Sequence, residues 1–312
     1  MDVLCIGHAA YDVVLPLPQF PEEDVKYVLE EKNECGGGPG ANAAYLLAKW
    51  GVPAGFMGQL GQDVYGERIV QELTEVGINL NLLQINDDKP TPFSAILVNR
   101  QNGSRTILNV RKPPKPLDNF DQLTPELKPR VILMDGHELG ASLKALEMYP
   151  QAISILDAGS LKPSTLELAG KVDFLITSQS FAMKYCQTES LDNDIAAIAC
   201  LHELQSLGKA QVVVTLGKRG LIYLADEESF RLPAYPVKAV DTTGAGDVFH
   251  GAFAFGLLKG FRLMDNLQFS SAAAALSVQH SGARTSIPEL EQVQSFMQKA
   301  LKTPAPVMLQ RL

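Results

Sequence analysis

The sequence predicts an α/β fold in which a parallel sheet, covered by helices on both faces, carries a small second sheet at its side. Three observations point to it. Short apolar runs without polar alternation recur along the chain, as expected of strands buried on both faces. Longer stretches with helical periodicity separate them, and strand, helix, strand in repetition marks a parallel sheet. Two further segments, 11–33 and 93–110, break this rhythm and look antiparallel.

In chain order, Val3–Gly7 (VLCIG) is the first buried strand, followed by the segment 11–33 (YDVVLPLPQFPEEDVKYVLEEKN). Ala41–Trp50 and Val64–Val76 read as helices. The segment 93–110 contains Asn102-Gly103, a two-residue hairpin turn between alternating runs. Hairpins inserted between βα units would make a small sheet placed as a lid over a cleft, from about 11–33 and 91–112. Pro113, Pro114 and Pro116 form a stiff connector out of it. Val131–Met134, Ile153–Leu156, Val172–Ile176 and Val212–Leu216 are further buried strands, and Ile195–Leu207 is a helix. From Ala245 the chain turns mainly helical, with Ala272–Ala275 permitting close helix packing. Without internal repeats or low-complexity tracts, residues 1–312 read as a single domain.

Composition narrows the function. The 312 residues carry 27 Lys plus Arg against 35 Asp plus Glu, a net charge of −8, and are 46% hydrophobic. That content builds a large core and excludes disorder as the main state. The acidic balance gives no footprint for duplex nucleic acid or an anionic membrane, although a nucleotide needs only local positive potential. No run approaches the ~18 apolar residues of a membrane span. The N-terminus lacks a basic region, so no signal peptide is expected. Cys5, Cys35, Cys186 and Cys200 form no CxxC pair, which suits reduced thiols in a cytoplasmic protein.

Four segments carry candidate chemistry. In VDTTGAGDVFHGAFAFGLLKG (Val240–Gly260), a strand-like approach ends at Gly244-Ala245-Gly246-Asp247 and an amphipathic helix begins. The open N–H groups and dipole of a helix start attract anions, so Ala245, Gly246 and Asp247 amides could hold a phosphoryl group in transfer. Asp247 would then stand ready to take a proton from an attacking hydroxyl. Alone, the motif reads equally well as an N-cap Asp on a glycine turn. CGGGPGANAAYLLAKWG (Cys35–Gly51) is a glycine-rich turn before a helix, and no Gly-Lys-Ser/Thr makes it a Walker loop. Thr215, Gly217 and Gly220 of TLGKRG suit either nucleotide contact or a plain strand-to-strand turn. Asp12 follows the first strand, at the end of the sheet where open α/β folds bind ligands. His8 and His250 read as packing residues, and Trp50 as core.

Together these segments, with GHAAYD near the start, GQDVYGERIVQELTEVGI in the first third and GARTSIP near the end, resemble the PfkB (ribokinase-like) carbohydrate kinases over nearly the whole chain. The resemblance implies a ribokinase-like three-layer αβα sandwich with a small β-sheet lid, ATP as donor, Mg²⁺, and K⁺ as a monovalent cation. It implies Asp247 as catalytic base, with Gly244, Ala245 and Gly246 as anion hole. Asp12, Gly38 and Asn42 match the family's sugar contacts, and Thr215, Gly217 and Gly220 its ATP site. Asp241, Thr243, Ser277, His280, Gly282 and Ser286 fall where the family places the monovalent cation, mainly through backbone carbonyls.

The departures count against plain ribose. Pro39 replaces a substrate-contacting Lys, and His137 stands where ribokinases carry a sugar-binding Glu. The family's Asn-x-x-Glu, tied to Mg²⁺ and phosphate, reads Ser178-Gln179-Ser180-Phe181. The lid is basic, with Lys26, Arg100, Arg105, Arg111 and Lys112. Arg105 in GSRTI is similar to a lid Arg of ketohexokinases, and the GGGP and DTTGAGDVFHGA wording is similar to sulfofructose kinases. Lys26 and Arg105, both expected on lid strands, are the better candidates to meet substrate. The expected activity is ATP-dependent phosphorylation of a hydroxymethyl group on a ketose or pentose-like sugar. The alternatives are a kinase for an anionic sugar or nucleoside, and a non-catalytic sensor. A dehydrogenase fits poorly, because no acidic residue follows GGGPGA at the spacing of a dinucleotide fold. Exposed lid edges suggest a homodimer.

Overall fold

In the computed structural model, which describes residues 1–101, 104–110, 116–299 and 303–310, the VLCI run forms strand β1 (Val3–Ile6) with all four side chains buried. The next elements are β2 (Ala10–Leu17), β3 (Asn33–Gly37), α1 (Pro39–Lys49), β4 (Ala54–Gly61), α2 (Val64–Glu75), β5 (Leu83–Asn86), β6 (Phe93–Asn99) and β7 (Arg105–Val110). They are followed by β8 (Val131–Met134), α3 (Leu139–Met148), β9 (Ile153–Ala158), α4 (Pro163–Ala169), β10 (Phe174–Ser178), α5 (Gln179–Tyr185) and α6 (Asp194–Gln205). The chain closes with β11 (Gln211–Thr215), β12 (Leu221–Ala225), β13 (Glu228–Leu232), α7 (Ala245–Leu258), α8 (Leu263–Ser277), α9 (Leu290–Lys299) and β14 (Val307–Met308).

The main sheet has the order β14-β13-β12-β11-β10-β9-β8-β1-β4-β5. It is parallel from β11 to β5 and is extended by antiparallel β12, β13 and β14. Because strand side chains alternate, β1 feeds two cores: Val3 and Cys5 join α1, α2, α7, α8 and α9 on one face. Leu4 and Ile6 join α3, α4, α5 and α6 on the other. Ala272 and Ala273 lie fully buried on α8, which packs against α7, so the small residues allow the close approach that was expected.

The second sheet has the order β3-β2-β6-β7. Its β2/β3 and β6/β7 pairs are antiparallel, but β2 and β6 pair in parallel from Tyr11↔Phe93 to Leu17↔Asn99, which corrects the expectation of an antiparallel sheet throughout. The reason lies in the main sheet. β2 follows β1 and β6 follows β5, two parallel strands, so both leave with the same polarity. Asn102-Gly103, Arg111, Lys112, Pro113 and Pro114 lie outside the described residues.

Two further expectations are corrected. The strand expected at Val172–Ile176 starts two residues later, at Phe174, because Asp173 is spent at its entrance on Ser154 and Lys209. Cys186 and Cys200 are joined as a disulfide, with Cα atoms 5.5 Å apart, while Cys5 and Cys35 are free and buried. A spacing of 14 residues carries no motif; the packing of α5 on α6 brings the two together. Among the described residues no helix is long and apolar enough to cross a membrane.

Candidate active site

The carboxyl ends of β1, β8, β9, β10 and β11 converge on one face of the molecule, and the second sheet stands over that face. At the rim, helix α7 begins at Gly244, whose φ of 74° turns the chain into the helix. A Cβ there would stand 3.0 Å from Ala283, so the turn is built for glycine. The first amides of a helix have no intrahelical acceptor; that of Ala245 reaches only Thr242 O, at 3.4 Å. A Cβ on Gly246 would meet nothing within 4 Å, so the backbone there is open to a ligand.

Asp247 sits in this first turn, and its Oδ2 accepts from Asn42 Nδ2 at 2.7 Å. Burial and then the nearby charge of Asp157 push its carboxyl up to about 6, against the pull of Asn42, His250 and Arg105. Asn42 is 2% exposed, and its Oδ1 is buried without a partner in the structure, an acceptor suited to a ligand hydroxyl. Asn42 is held there by α1, which starts immediately after Gly38. At Gly38 φ is 92°, and a Cβ would press on His8 O and Ala9 Cα.

Asp12, on β2, is 6% exposed and lies under the backbone of Gly37. Desolvation lifts its carboxyl to about 6, opposed by a hydrogen bond from Ser94 and the charge of Arg284 and reinforced by Asp247. Arg284 itself is buried. Its Nη1 pairs with Glu72 at 2.6 Å, and Glu72 accepts from Gly36 N, so the loop after α8 is tied to β3. From β7, Arg105 reaches across to donate to Thr242 Oγ1 at 2.7 Å, beside the start of α7. Lys26 is not on a strand. It lies exposed in the loop between β2 and β3, so the expected strand position is corrected.

His137 is held on both sides. Lys162 Nζ lies 3.0 Å from its Nε2, and its Nδ1 lies 3.1 Å from Asp135 Oδ1. With the ammonium donating to Nε2, the ring proton sits on Nδ1 and donates to Asp135. Burial works to raise the Asp135 carboxyl, but His137 and the amide of His8 outweigh it and hold it well below the usual carboxylate range. His8 stacks on His137 with ring centroids 4.6 Å apart. His250 is buried, with Nδ1 2.6 Å from Gly246 O and 3.2 Å from Asp157 Oδ2, which places it beside the site and not merely in the core.

At the opposite rim, Thr215 Oγ1 donates to Thr177 O at 3.1 Å. Gly217 opens the β11–β12 turn with φ 58° and free space before it, whereas Gly220 is required by packing against Leu232 O. Ser178, in place of the family's Asn, caps α5 by accepting from Phe181 N at 3.0 Å, and Phe181 is fully buried. Ser178 Oγ donates to Gly159 O, and beside Gly159, at the end of β9, stands Asp157, its carboxyl lifted to about 7 by burial first and by Asp135 second. Sequence reasoning missed Asp157, although its place at the carboxyl end of a strand was a usable signal. The segment bearing Asp241 and Thr243 lies against the end of α8 at Ser277 and the loop that follows it with His280, Gly282 and Ser286. Asp241 Oδ1 accepts from Thr243 N at 2.8 Å and Oδ2 from Gly282 N at 2.8 Å, so its carboxylate is largely used in joining them. Among the described residues no group of three or more His, Cys, Asp or Glu side chains forms a metal cluster.

The chain is similar to known proteins over nearly its whole length. The family model described as pfkB family carbohydrate kinase matches residues 1–290. A ribokinase of Arabidopsis thaliana is 28% identical over 308 residues, covering 93% of this chain and 79% of its own. A 5-dehydro-2-deoxygluconokinase of Clostridium beijerinckii is 29% identical over 337 residues, covering 96% of this chain and 93% of its own. Among solved structures, a ribokinase of Thermotoga maritima superposes with a TM-score of 0.80 at 27% identity, covering 96% of this chain and 99% of that one. The Arabidopsis thaliana ribokinase solved with ribose and ATP gives 0.79 at 25% identity, covering 95% and 98%.

Proposed function

This chain belongs to the pfkB family of carbohydrate kinases, and on that premise we propose that it uses ATP to phosphorylate a hydroxymethyl group of a ketose or pentose-like sugar. The observation that carries the assignment is Asp247: a carboxyl lifted to about 6, hydrogen-bonded to Asn42, in the first turn of a helix that starts on glycine. A pKa near 6 leaves the carboxyl ionised at neutral pH and more basic than an exposed one, as a general base requires. The sugar hydroxyl gives its proton to Asp247 as its oxygen bonds to the γ-phosphorus, and the bond from that phosphorus to the β-bridging oxygen breaks to release ADP. The amides of Ala245, Gly246 and Asp247 face the charge that develops on the phosphoryl oxygens.

Asn42 Oδ1 and the Asp12 carboxylate would hold sugar hydroxyls, with Gly38 and His137 lining the same cleft. Thr215 and Gly217 would flank the nucleotide, Gly220 shaping the turn that places them. Mg²⁺ keeps several waters and binds largely through phosphates, so Asp157 can serve it even though Phe181 replaces the family's Glu. K⁺ would sit between the loops of Asp241, Thr243, Ser277, His280, Gly282 and Ser286, drawing on backbone carbonyls more than on the engaged Asp241 carboxylate. The second sheet acts as a lid, with Arg105 bridging to Thr242 when the cleft excludes water. The edge strand β7 exposes Ile107, Leu108 and Val110 and is the surface through which two copies would pair.

The test is ADP release from Mg²⁺-ATP in the presence of K⁺, over a panel of ketoses, pentoses, sugar acids, sugar phosphates and nucleosides. Sugar-dependent release with a phosphosugar product identified by phosphorus NMR is the expected result. ATP binding without turnover of any acceptor would favour the sensor reading instead.

A further inference from the structure

Beside the proposed transfer site lies a cavity of about 180 Å³ lined by His8, Gln59, Lys89, His137, Glu138 and Lys162 among others. It shares a wall with the sugar cradle. His8 O packs under Gly38, and Asp135, behind His137, accepts from Gly40 N at 3.0 Å. A substrate that places a hydroxyl at Asp247 can therefore extend its remote end into this space.

The charge there is of opposite sign to the transfer end. Asp12, Asp157 and Asp247 are all carboxyls, whereas the cavity presents the ammonium groups of Lys89 and Lys162 with two imidazoles. Lys162 is steadied by His137 at 3.0 Å, and His137 is steadied by Asp135 and by stacking on His8. Three carboxyls bear on these groups: Asp157, which feels the charge of Lys162, is lifted to about 7 by burial and lies 3.2 Å from His250 Nδ1, and Asp135 is already engaged by the amides of His8, Gly40 and His137. Glu138 accepts from Gln59 Nε2 at 2.7 Å, and burial, opposed by that bond, lifts it to about 7, so it offers only part of a counter-charge. Lys89 is carried between β5 and β6 next to Pro90 and Pro92, which stiffen the segment.

We propose that this cavity is a subsite for an oxyanion at the end of the sugar remote from the transferred hydroxyl, with Lys162 as the principal contact and Lys89 as the second. The proposal rests on the sugar-kinase reading and names its substrate class: a sugar bearing a carboxylate, sulfonate or phosphate. Charge-assisted hydrogen bonds in a part-buried site are among the stronger polar contacts. The arrangement also keeps the substrate's own charge away from Asp247 and from the phosphoryl group.

The experiment compares kcat/KM for fructose, fructuronate, 6-deoxy-6-sulfofructose and fructose 6-phosphate, which differ only in the end group, in wild-type protein, Lys162→Met and Lys162→Arg. Wild type is expected to favour one charged member over fructose by about 10- to 100-fold. That ratio should fall at least about tenfold in Lys162→Met and largely return in Lys162→Arg; which member is favoured identifies the anion. Fructose preferred over every charged member, or an equal loss on all four sugars in Lys162→Met, would overturn the proposal while leaving the kinase reading intact. If none of the four is phosphorylated, the kinase reading is decided by the wider acceptor panel and calorimetry decides the subsite. Tighter binding of a charged sugar than of fructose, weakened in Lys162→Met, supports it, and equal or absent binding overturns it.

Discussion

Asp247 is the residue on which both the proposed chemistry and a stability cost converge. Its folded pKa of about 6 lies above the ordinary 3.8, so the folded protein keeps this proton between pH 4 and 6 and is penalised for ionising it above that. Below pH 4 both states are protonated and no penalty exists. Asp247→Asn removes the penalty and should be more stable than wild type at pH 8 by about 1–2 kcal/mol, discounted for the water that still reaches the site. Thermal melts should converge near pH 4; equal melting temperatures at both pH values would contradict the burial argument. Asp247, Asp12 and Asn42 were legible in the sequence because each sits in a short glycine-flanked motif. Asp157 carried a usable signal in its place at the carboxyl end of a strand, whereas Glu138 and Lys162 carried none, since they meet only because β8 and β9 lie side by side.

At the scale of the element, the start of α7 separates structure from function. Gly244 needs its positive φ, so alanine there would strain the turn against Ala283. Gly246 has a helical position and open space before it. Gly246→Ala should therefore fold with unchanged or slightly raised melting temperature, alanine being the better helix former by up to ~1 kcal/mol. The new methyl would nonetheless stand where the phosphoryl group approaches, and kcat should fall about 10²-fold or more, the usual worth of an anion-hole donor. Steady-state kinetics beside a melt checks both halves. Arg105→Ala removes an exposed contact from the second sheet to Thr242, so stability should hardly change while, if Arg105 serves the proposed site, kcat/KM drops about tenfold. An unchanged kcat/KM would detach Arg105 from the site. The helices α1, α2 and α6 were readable to within two residues from their periodicity. The glycine-rich β4 and the short β5 were not, because neither forms the uninterrupted apolar run that marks the other strands.

For the whole molecule, the parallel core and the attached sheet were legible, whereas the parallel β2/β6 pairing and the Cys186–Cys200 disulfide were not. Both follow from which elements become neighbours, and a local pattern holds no record of that. The exposed edge strand β7 predicts association: light scattering should give a dimer at micromolar concentration, and Leu108→Lys with Val110→Lys, on one face of the strand, should give a monomer. A monomeric wild type would set that surface aside. The central claim, that Asp247 is the base of a sugar phosphotransferase, is tested most directly by kcat/KM against pH for wild type and Asp247→Asn on the sugar that wild type turns over. Asp247 and Asp12 both titrate near 6, so wild-type kcat/KM should fall by one to two decades per unit as pH drops below about 6. Asp247→Asn should lie about 10²–10⁴-fold lower in kcat, with a shallower acid limb left to Asp12. An Asp247→Asn protein that keeps the wild-type kcat and the wild-type acid limb would contradict the account.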